Sequence, residues 1–358
     1  DFKEPQAITL NTTVEGILEN EDIDYYLIEA KKGQRISAEV EGIRLGNSFY
    51  DPYLAIMNMD RFELAASDDT ALLLQDSTAS IVAPEDGKYV ILIRESSYTG
   101  NGSCRYRLHV GSFPRPIAVY PAGGQNGTEL KVNLIGDPIG KSELTVNLPE
   151  SGDSEYKIFS QSNGLLSPSP NKIRLSNYPN AMEVEPNDNR AQSTIVKAPL
   201  PIAFNGIINK DGDHDWFKFT AKKGQRFIFR AHAKSIGSPL DPVINLYGPD
   251  NKQITANDDA DNKQDSKIDF TAAVDGEFTF RIRDHLGKGG ENYIYRIESE
   301  AITPSLALTI PYFGRADYQS RQMIYVAKGN RFVTRINAAR SNFGGDLVFE
   351  AKDLPQGM

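Results

Sequence analysis

The segment Asp211-Gly-Asp-His-Asp-Trp-Phe-Lys-Phe-Thr-Ala-Lys-Lys-Gly-Gln-Arg226 has a near-copy earlier in the chain, Glu21-Asp-Ile-Asp-Tyr-Tyr-Leu-Ile-Glu-Ala-Lys-Lys-Gly-Gln-Arg35. The correspondence runs on in both directions. Gly16-Ile17 answers Gly206-Ile207, Asp51-Pro52 answers Asp241-Pro242, Gln75-Asp76-Ser77 answers Gln264-Asp265-Ser266, and Tyr106-Arg107 answers Tyr295-Arg296. Self-similarity over such a span predicts a duplicated domain of roughly 100 residues and not a short solenoid motif.

Within each copy the apolar residues alternate. Tyr89, Ile91 and Ile93 fall on one side of Tyr89–Arg94, and Phe278, Phe280 and Ile282 occupy the matching positions, with Thr279, Arg281 and Arg283 on the other side. That period of two is the mark of a half-buried antiparallel strand. Short β-branched and aromatic runs separated by Gly, Pro, Asn and Asp, without long helical periodicity, predict an all-β fold of tandem sandwich or jelly-roll domains. Four segments are expected: a sandwich over 1–110, a small immunoglobulin-like module with its linker over 111–181, a second sandwich over 182–300, and the start of an immunoglobulin-like domain over 301–358. The stretch Ser167-Pro-Ser-Pro-Asn171 reads as a stiff extended connector. In the last segment Met323–Val326, Arg331–Ile336 and Asp346–Glu350 read as strands and Asp353–Gly357 as a turn, hence part of a longer natural polypeptide.

The chain has 358 residues, a formal charge of -9 and a single cysteine, Cys104. The acidic balance disfavours nucleic acid and anionic membrane as partners and suits divalent cations. No apolar run approaches the roughly 18 residues of a membrane helix, and Asp1-Phe2-Lys3-Glu4-Pro5 lacks the basic start and apolar core of a signal peptide. Cys104 reads as a small residue leading into a strand. The four histidines lack zinc-site spacing, and neither a Gly-x-Ser-x-Gly elbow nor a phosphate-binding Gly-x-x-x-x-Gly-Lys loop occurs, so no catalytic constellation is read.

Two runs of carboxylates stand out. In Glu183-Val-Glu-Pro-Asn-Asp188, Pro186 disfavours helix at Glu185, so an extended chain would turn Glu183, Glu185 and Asn187 to one side. Asp211, Asp213 and Asp215 alternate in the same way ahead of Trp216 and Phe217. An EF-hand is excluded, because Trp216 and Lys222 stand where its loop needs Gly and a bidentate Glu. Two readings remain: solvated turns, or an oxygen-rich cation site of the kind Ca²⁺ takes. Trp216 reads as a core residue, and Asp68-Asp69 and Asp258-Asp259 as turn formers.

Glu-Pro-Asn-Asp, an Asp-x-Asp-aromatic strand, Ala-Lys-Lys-Gly-Gln, Asp-Pro, Asp-Asp and Asp-Gly before an alternating aromatic strand together resemble the bacterial pre-peptidase C-terminal domain, related to the collagen-binding domains of clostridial collagenases. The resemblance covers both copies. It implies a jelly-roll sandwich, secretion, and a Ca²⁺ site formed from Glu183, Glu185, Asn187 and Asp188 of the linker with Asp213 and Asp215 of the strand, Asp211 being a further candidate. The first copy departs from the pattern, with Glu4-Pro5-Gln6 in place of Glu-Pro-Asn-Asp. The expected function is a noncatalytic, calcium-stabilised spacer or adhesion segment of a secreted or cell-surface bacterial protein, whose partners are an extracellular protein, a polysaccharide or further copies of itself. The alternative is a ligand-binding accessory region of a secreted hydrolase. Without the cation residues 182–190 are expected to be mobile, and with it the interdomain angle fixed.

Overall fold

The fold follows the alternation. In Gly276–Asp284 the side chains of Phe278, Phe280 and Ile282 are buried in one core, and in Gly87–Glu95 those of Tyr89, Ile91 and Ile93 are buried in another. The computed structural model describes the chain except residues 47, 262–263, 303, 312–325, 351 and 353–358. It is all-β, with tandem sandwiches. In the first, a sheet ordered Gln6–Ala7, Ile23–Ala30, Gly87–Glu95, Pro52–Met57 and Glu63–Ser67 faces one ordered Thr12–Ile17, Arg105–Gly111, Arg35–Glu41 and Thr78–Val82. In the second, Thr194–Ile195, Asp215–Ala221, Gly276–Asp284, Pro242–Tyr247 and Gln253–Asn257 face Asn180–Met182, Ala203–Ile207, Ile294–Ala301, Arg226–His232 and Lys267–Thr271. The strand order is the same apart from the extra edge strand Asn180–Met182. The cores differ in filling: Phe204, Phe217, Phe219, Phe229, Phe270, Phe278 and Phe280 pack ring against ring in the second, where the first is largely aliphatic.

The repeated motifs are turn chemistry. Lys31 and Lys222 N–H donate to Gln34 and Gln225 Oε1, Lys32 and Lys223 N–H donate to Asp86 and Asp275 Oδ1, and Gly33 and Gly224 take positive φ between them. Asp76 accepts from the backbone of Gly42, Ile43 and Arg44, and Asp265 from Ala233, Lys234 and Ser235. One carboxylate thus satisfies the open start of each 3₁₀ turn.

Register corrects one alignment. Gln6 lies opposite Tyr26 as Thr194 lies opposite Phe217, so Glu4-Pro5 stands where Gln192-Ser193 stands and is not the counterpart of Glu185-Pro186.

Between the sandwiches, Ala118–Tyr120, Glu129–Ile135 and Ser142–Asn147 form one small sheet, and Gly123–Gln125, Asn171–Ser176 and Glu155–Ile158 another, around Val119, Val132, Leu134, Ile158, Ile173 and Leu175. Ser167, Ser169 and Asn171 of the expected connector are buried, so this stretch is an interface and not a free linker.

Residues 301–358 form a separate unit, in which Ser305–Thr309 pairs antiparallel with Asn337–Ser341. Two expected strands are corrected: Arg331–Ile336, just before that pairing, and Asp346–Glu350 are not in strand conformation. Most of Met323–Val326 and the Asp353–Gly357 turn lie outside the described residues.

Candidate metal centre

Glu183 follows Asn180–Met182, which pairs with Ala203–Ile207, and its backbone N–H donates to Asn205 O at 2.9 Å. That strand aims the Glu183 carboxylate at the opening of Asp215–Ala221. One carboxylate oxygen from each of Glu183, Glu185 and Asp215 lies within 4.8 Å of the others. Glu183 Oε1 accepts from Ile207 N at 2.8 Å, Glu185 Oε1 from Asn209 Nδ2 at 2.6 Å, and Asp215 Oδ2 from the Tyr295 hydroxyl at 2.6 Å. Among the described residues no lysine, arginine or histidine forms an ion pair with Glu183, Glu185, Asp213 or Asp215.

The buried Asn187 side-chain oxygen faces only the carboxylate oxygens of Glu185 and Asp215. Turned over, its NH₂ would donate to Asp215 Oδ1 at 3.1 Å and Glu185 Oε2 at 3.2 Å. Either way the amide is held against Glu185 and Asp215, where it can meet the cluster with its NH₂ or its oxygen. Asp213, also buried, accepts from Asn209 N and His214 N, and its carboxyl is raised by burial and by Asp188 beside it.

Of the seven candidates, Glu183, Glu185, Asn187 and Asp215 converge, and Asp213 and Asp188 form a second pair next to each other. Asp211 is engaged elsewhere, by Lys288 Nζ and Gly289 N, each at 3.1 Å. Burial lifts both Glu183 and Asp215 well above the ordinary carboxylate range, and for Glu183 the Asp215 charge adds to it. Two such groups hold a proton between them unless a cation replaces it.

Tyr295 and Gly206 belong to the centre although sequence reasoning assigned them no role. A Cβ on Gly206 would overlap the Tyr295 hydroxyl and Glu183 Oε2, and one on Gly16 the Tyr106 hydroxyl. The first sandwich keeps the trio, with Tyr106 donating to Asp24 Oδ2 at 2.5 Å, but there the Tyr26 hydroxyl bonds Tyr106 where the second sandwich has Phe217 and Glu183. The signal was present in the repeat, since Gly16, Asp24 and Tyr106 recur as Gly206, Asp215 and Tyr295. Gly206→Ala should cost about 1–3 kcal/mol by overpacking, with Gly16→Ala doing the same, as read from urea melts; a neutral Gly206→Ala would deny the close approach.

Trp216 is corrected to the outer face. Asp215 and Phe217 turn inward, so Trp216 turns out, stacking on Tyr247 at 5.2 Å while Arg190 lies 4.3 Å over the Tyr247 ring. Its backbone N–H donates to Asn187 O at 3.1 Å, tying the only tryptophan to the acidic loop. The Glu185–Pro186 peptide in that loop is cis.

Parts of the chain are similar to known proteins. A stretch of 99 residues is 34% identical to a probable subtilase-type serine protease of Deinococcus radiodurans, covering 27% of this chain and 14% of that protein. The crystal structure of the pre-peptidase C-terminal domain of collagenase from Bacillus anthracis matches at 20% identity and a TM-score of 0.25, over 30% of this chain and 94% of that one. PliG of Aeromonas hydrophila, a periplasmic inhibitor of g-type lysozyme, matches at 12% identity and a TM-score of 0.21, over 30% of this chain and 99% of that one. Residues 213–284, which carry Asp213 and Asp215 and most of the second core, match the family model of the bacterial pre-peptidase C-terminal domain.

Proposed function

We propose that this chain is a noncatalytic, calcium-stabilised modular segment of a secreted or cell-surface bacterial protein, a structural spacer or adhesion scaffold in which the first sandwich is a diverged second domain of the same kind. The observation that carries the calcium reading is the convergence of three carboxylates, buried Asp215, half-buried Glu183 and exposed Glu185, beside the buried Asn187 amide, with no cationic side chain paired to them among the described residues. Hard oxygen donors of this kind, with some backbone adaptability, suit Ca²⁺ better than Mg²⁺, which demands stricter octahedral order. Glu183, Glu185, Asn187 and Asp215 would hold the ion, which supplies the positive charge that the cluster lacks. Tyr295 orients Asp215, and the Ile207 and Asn209 donors orient Glu183 and Glu185.

Trp216 makes this testable without activity. Ca²⁺ added to the EDTA-treated protein should change its fluorescence with one saturable phase in the 10⁻⁴ to 10⁻³ M range usual for extracellular sites, roughly. Asp215→Asn should abolish the phase. A signal that Mg²⁺ reproduces at equal concentration, or that survives Asp215→Asn, would remove the calcium reading.

A second reading, an accessory region of a secreted hydrolase that targets a collagen-like protein or a polysaccharide, is favoured by the match to part of a subtilase-type protease. Retention on insoluble collagen or polysaccharide separates it from a plain spacer.

A further inference from the structure

A sheet face turned away from its own core ordinarily meets water, yet the corresponding face of both sandwiches carries buried charge. In Arg35–Glu41, Ile36, Ala38 and Val40 enter the core, while Arg35, Ser37 and Glu39 turn outward and are buried all the same. In Ile294–Ala301, Tyr295 and Ile297 enter the core, and Arg296 and Glu298 turn outward and are likewise buried. What covers each face is the intervening module.

At the first face Glu39 meets Arg115 Nε at 2.7 Å and Arg44 Nη2 at 3.2 Å, and the Ser169 hydroxyl donates to it. At the second, Glu298 meets Arg296 Nε at 2.8 Å, Arg174 Nη2 at 3.3 Å and His232 Nε2 at 3.6 Å. In each case one arginine belongs to the sandwich, Arg44 or Arg296, and one to the module, Arg115 or Arg174. Arg35 pairs with Asp137 at 2.9 Å beside the first clasp, and Arg296 Nη2 donates to Ser176 Oγ at 2.9 Å beside the second. Ala118, Ala122 and Ile135 of the module close an apolar patch with Ile236 and Ile294. The sandwiches also touch directly, for a Cβ on Gly237 would come within 2.7 Å of Leu72 Cα.

We infer that the intervening module is a brace that holds the two sandwiches at one fixed separation through the Glu39 and Glu298 clasps, with or without a cation at the acidic cluster. Mobile domain interfaces are small and wet. Charges that have lost their water are tolerated only where each stays paired, which leaves the junctions one arrangement and not a range. On this inference the clasps, and not a cation, would set the interdomain angle, and a cation would act within the second sandwich.

Spin labels on Lys88→Cys and Lys222→Cys in the full chain, with the buried Cys104 left in place, test this by pulsed dipolar spectroscopy in EDTA and in Ca²⁺. One narrow distance peak is expected, unchanged between the two, and broadened by Arg115→Met. A broad or multiple distribution in the labelled protein without Arg115→Met overturns the brace, as does a peak that narrows only with Ca²⁺. Because that first measurement needs no clasp variant, the test stands even if Arg115→Met fails to fold. It is also independent of calcium binding itself, which Trp216 fluorescence reads separately.

Discussion

Freed of divalent ions, the protein should lose thermal stability as pH rises from about 5 to about 8, and Ca²⁺ should restore it at the upper pH while adding little at the lower. The sign follows from the carboxyls of Glu183, pushed up to about 10, and Asp215, pushed up to about 7. An unfolded chain gives up these protons near pH 4, roughly, whereas the folded cluster still holds them. Stability from the shared proton is therefore complete below the unfolded range and lost as pH rises through the folded one. Ca²⁺ competes with the same protons, so its contribution grows with pH. For a dissociation constant of about 10⁻⁴ to 10⁻³ M, 1 mM Ca²⁺ adds roughly 0.4–1.4 kcal/mol, which at about 2–4 °C per kcal/mol is a resolvable shift in Tm. Glu183→Gln keeps the acceptor for Ile207 N and removes the charge, so it should raise stability in EDTA near pH 8 and abolish the response to Ca²⁺. Calorimetric melts with EDTA and with Ca²⁺ at both pH values decide it. Equal gains at both, or a Glu183→Gln protein that still responds like its parent, would sink the proposal.

What could be read ahead of the structure was which side of a strand a residue takes. Phe278, Phe280 and Ile282 are buried as their alternation predicts, but on the side expected to face water Thr279 is buried too and Arg281 and Arg283 are half-buried. The carboxylates of Glu183, Glu185 and Asp215 were also within reach, because their neighbours are turn and strand residues whose local geometry is simple. Alternation, however, says nothing about what covers the outer side. Glu39, Arg296 and Glu298 have the pattern of solvated positions, and they became interface only because a module 70 or so residues long folds against them, roughly the size of the smallest independent domains. The same gap explains Trp216: a large aromatic beside core phenylalanines suggested burial, but its place between inward Asp215 and Phe217 sends it to the outer face, where Tyr247 and Arg190 shelter it. The Glu4-Pro5 alignment failed for a different reason. A shared dipeptide carries little information, and the linker is placed by its parallel hydrogen bonding to the next strand.

The other large effect is expected at the first clasp. Glu39→Met should destabilise the protein by about 3–5 kcal/mol, because it leaves the Arg115 guanidinium buried without a counter-charge. Among the described residues Arg115 has no other carboxylate on its side chain, only the Ser169 carbonyl at 3.1 Å, whereas Arg44 keeps Asp76 at 2.6 Å. Glu39→Met with Arg115→Met removes both charges together and should recover most of the loss, since apolar groups of similar volume commonly replace a buried pair at little cost. Urea melts of the two single variants and the double give the coupling directly; a double variant less stable than either single would show that the pair is not what holds this junction. Lys131 and Glu143 supply the control. They too stand 2.7 Å apart, but both are well exposed, and Lys131→Ala should change stability by less than about 1 kcal/mol. Equal separations with unequal costs would identify the lost water, and not the ion-pair distance, as what makes the Glu39 clasp decisive.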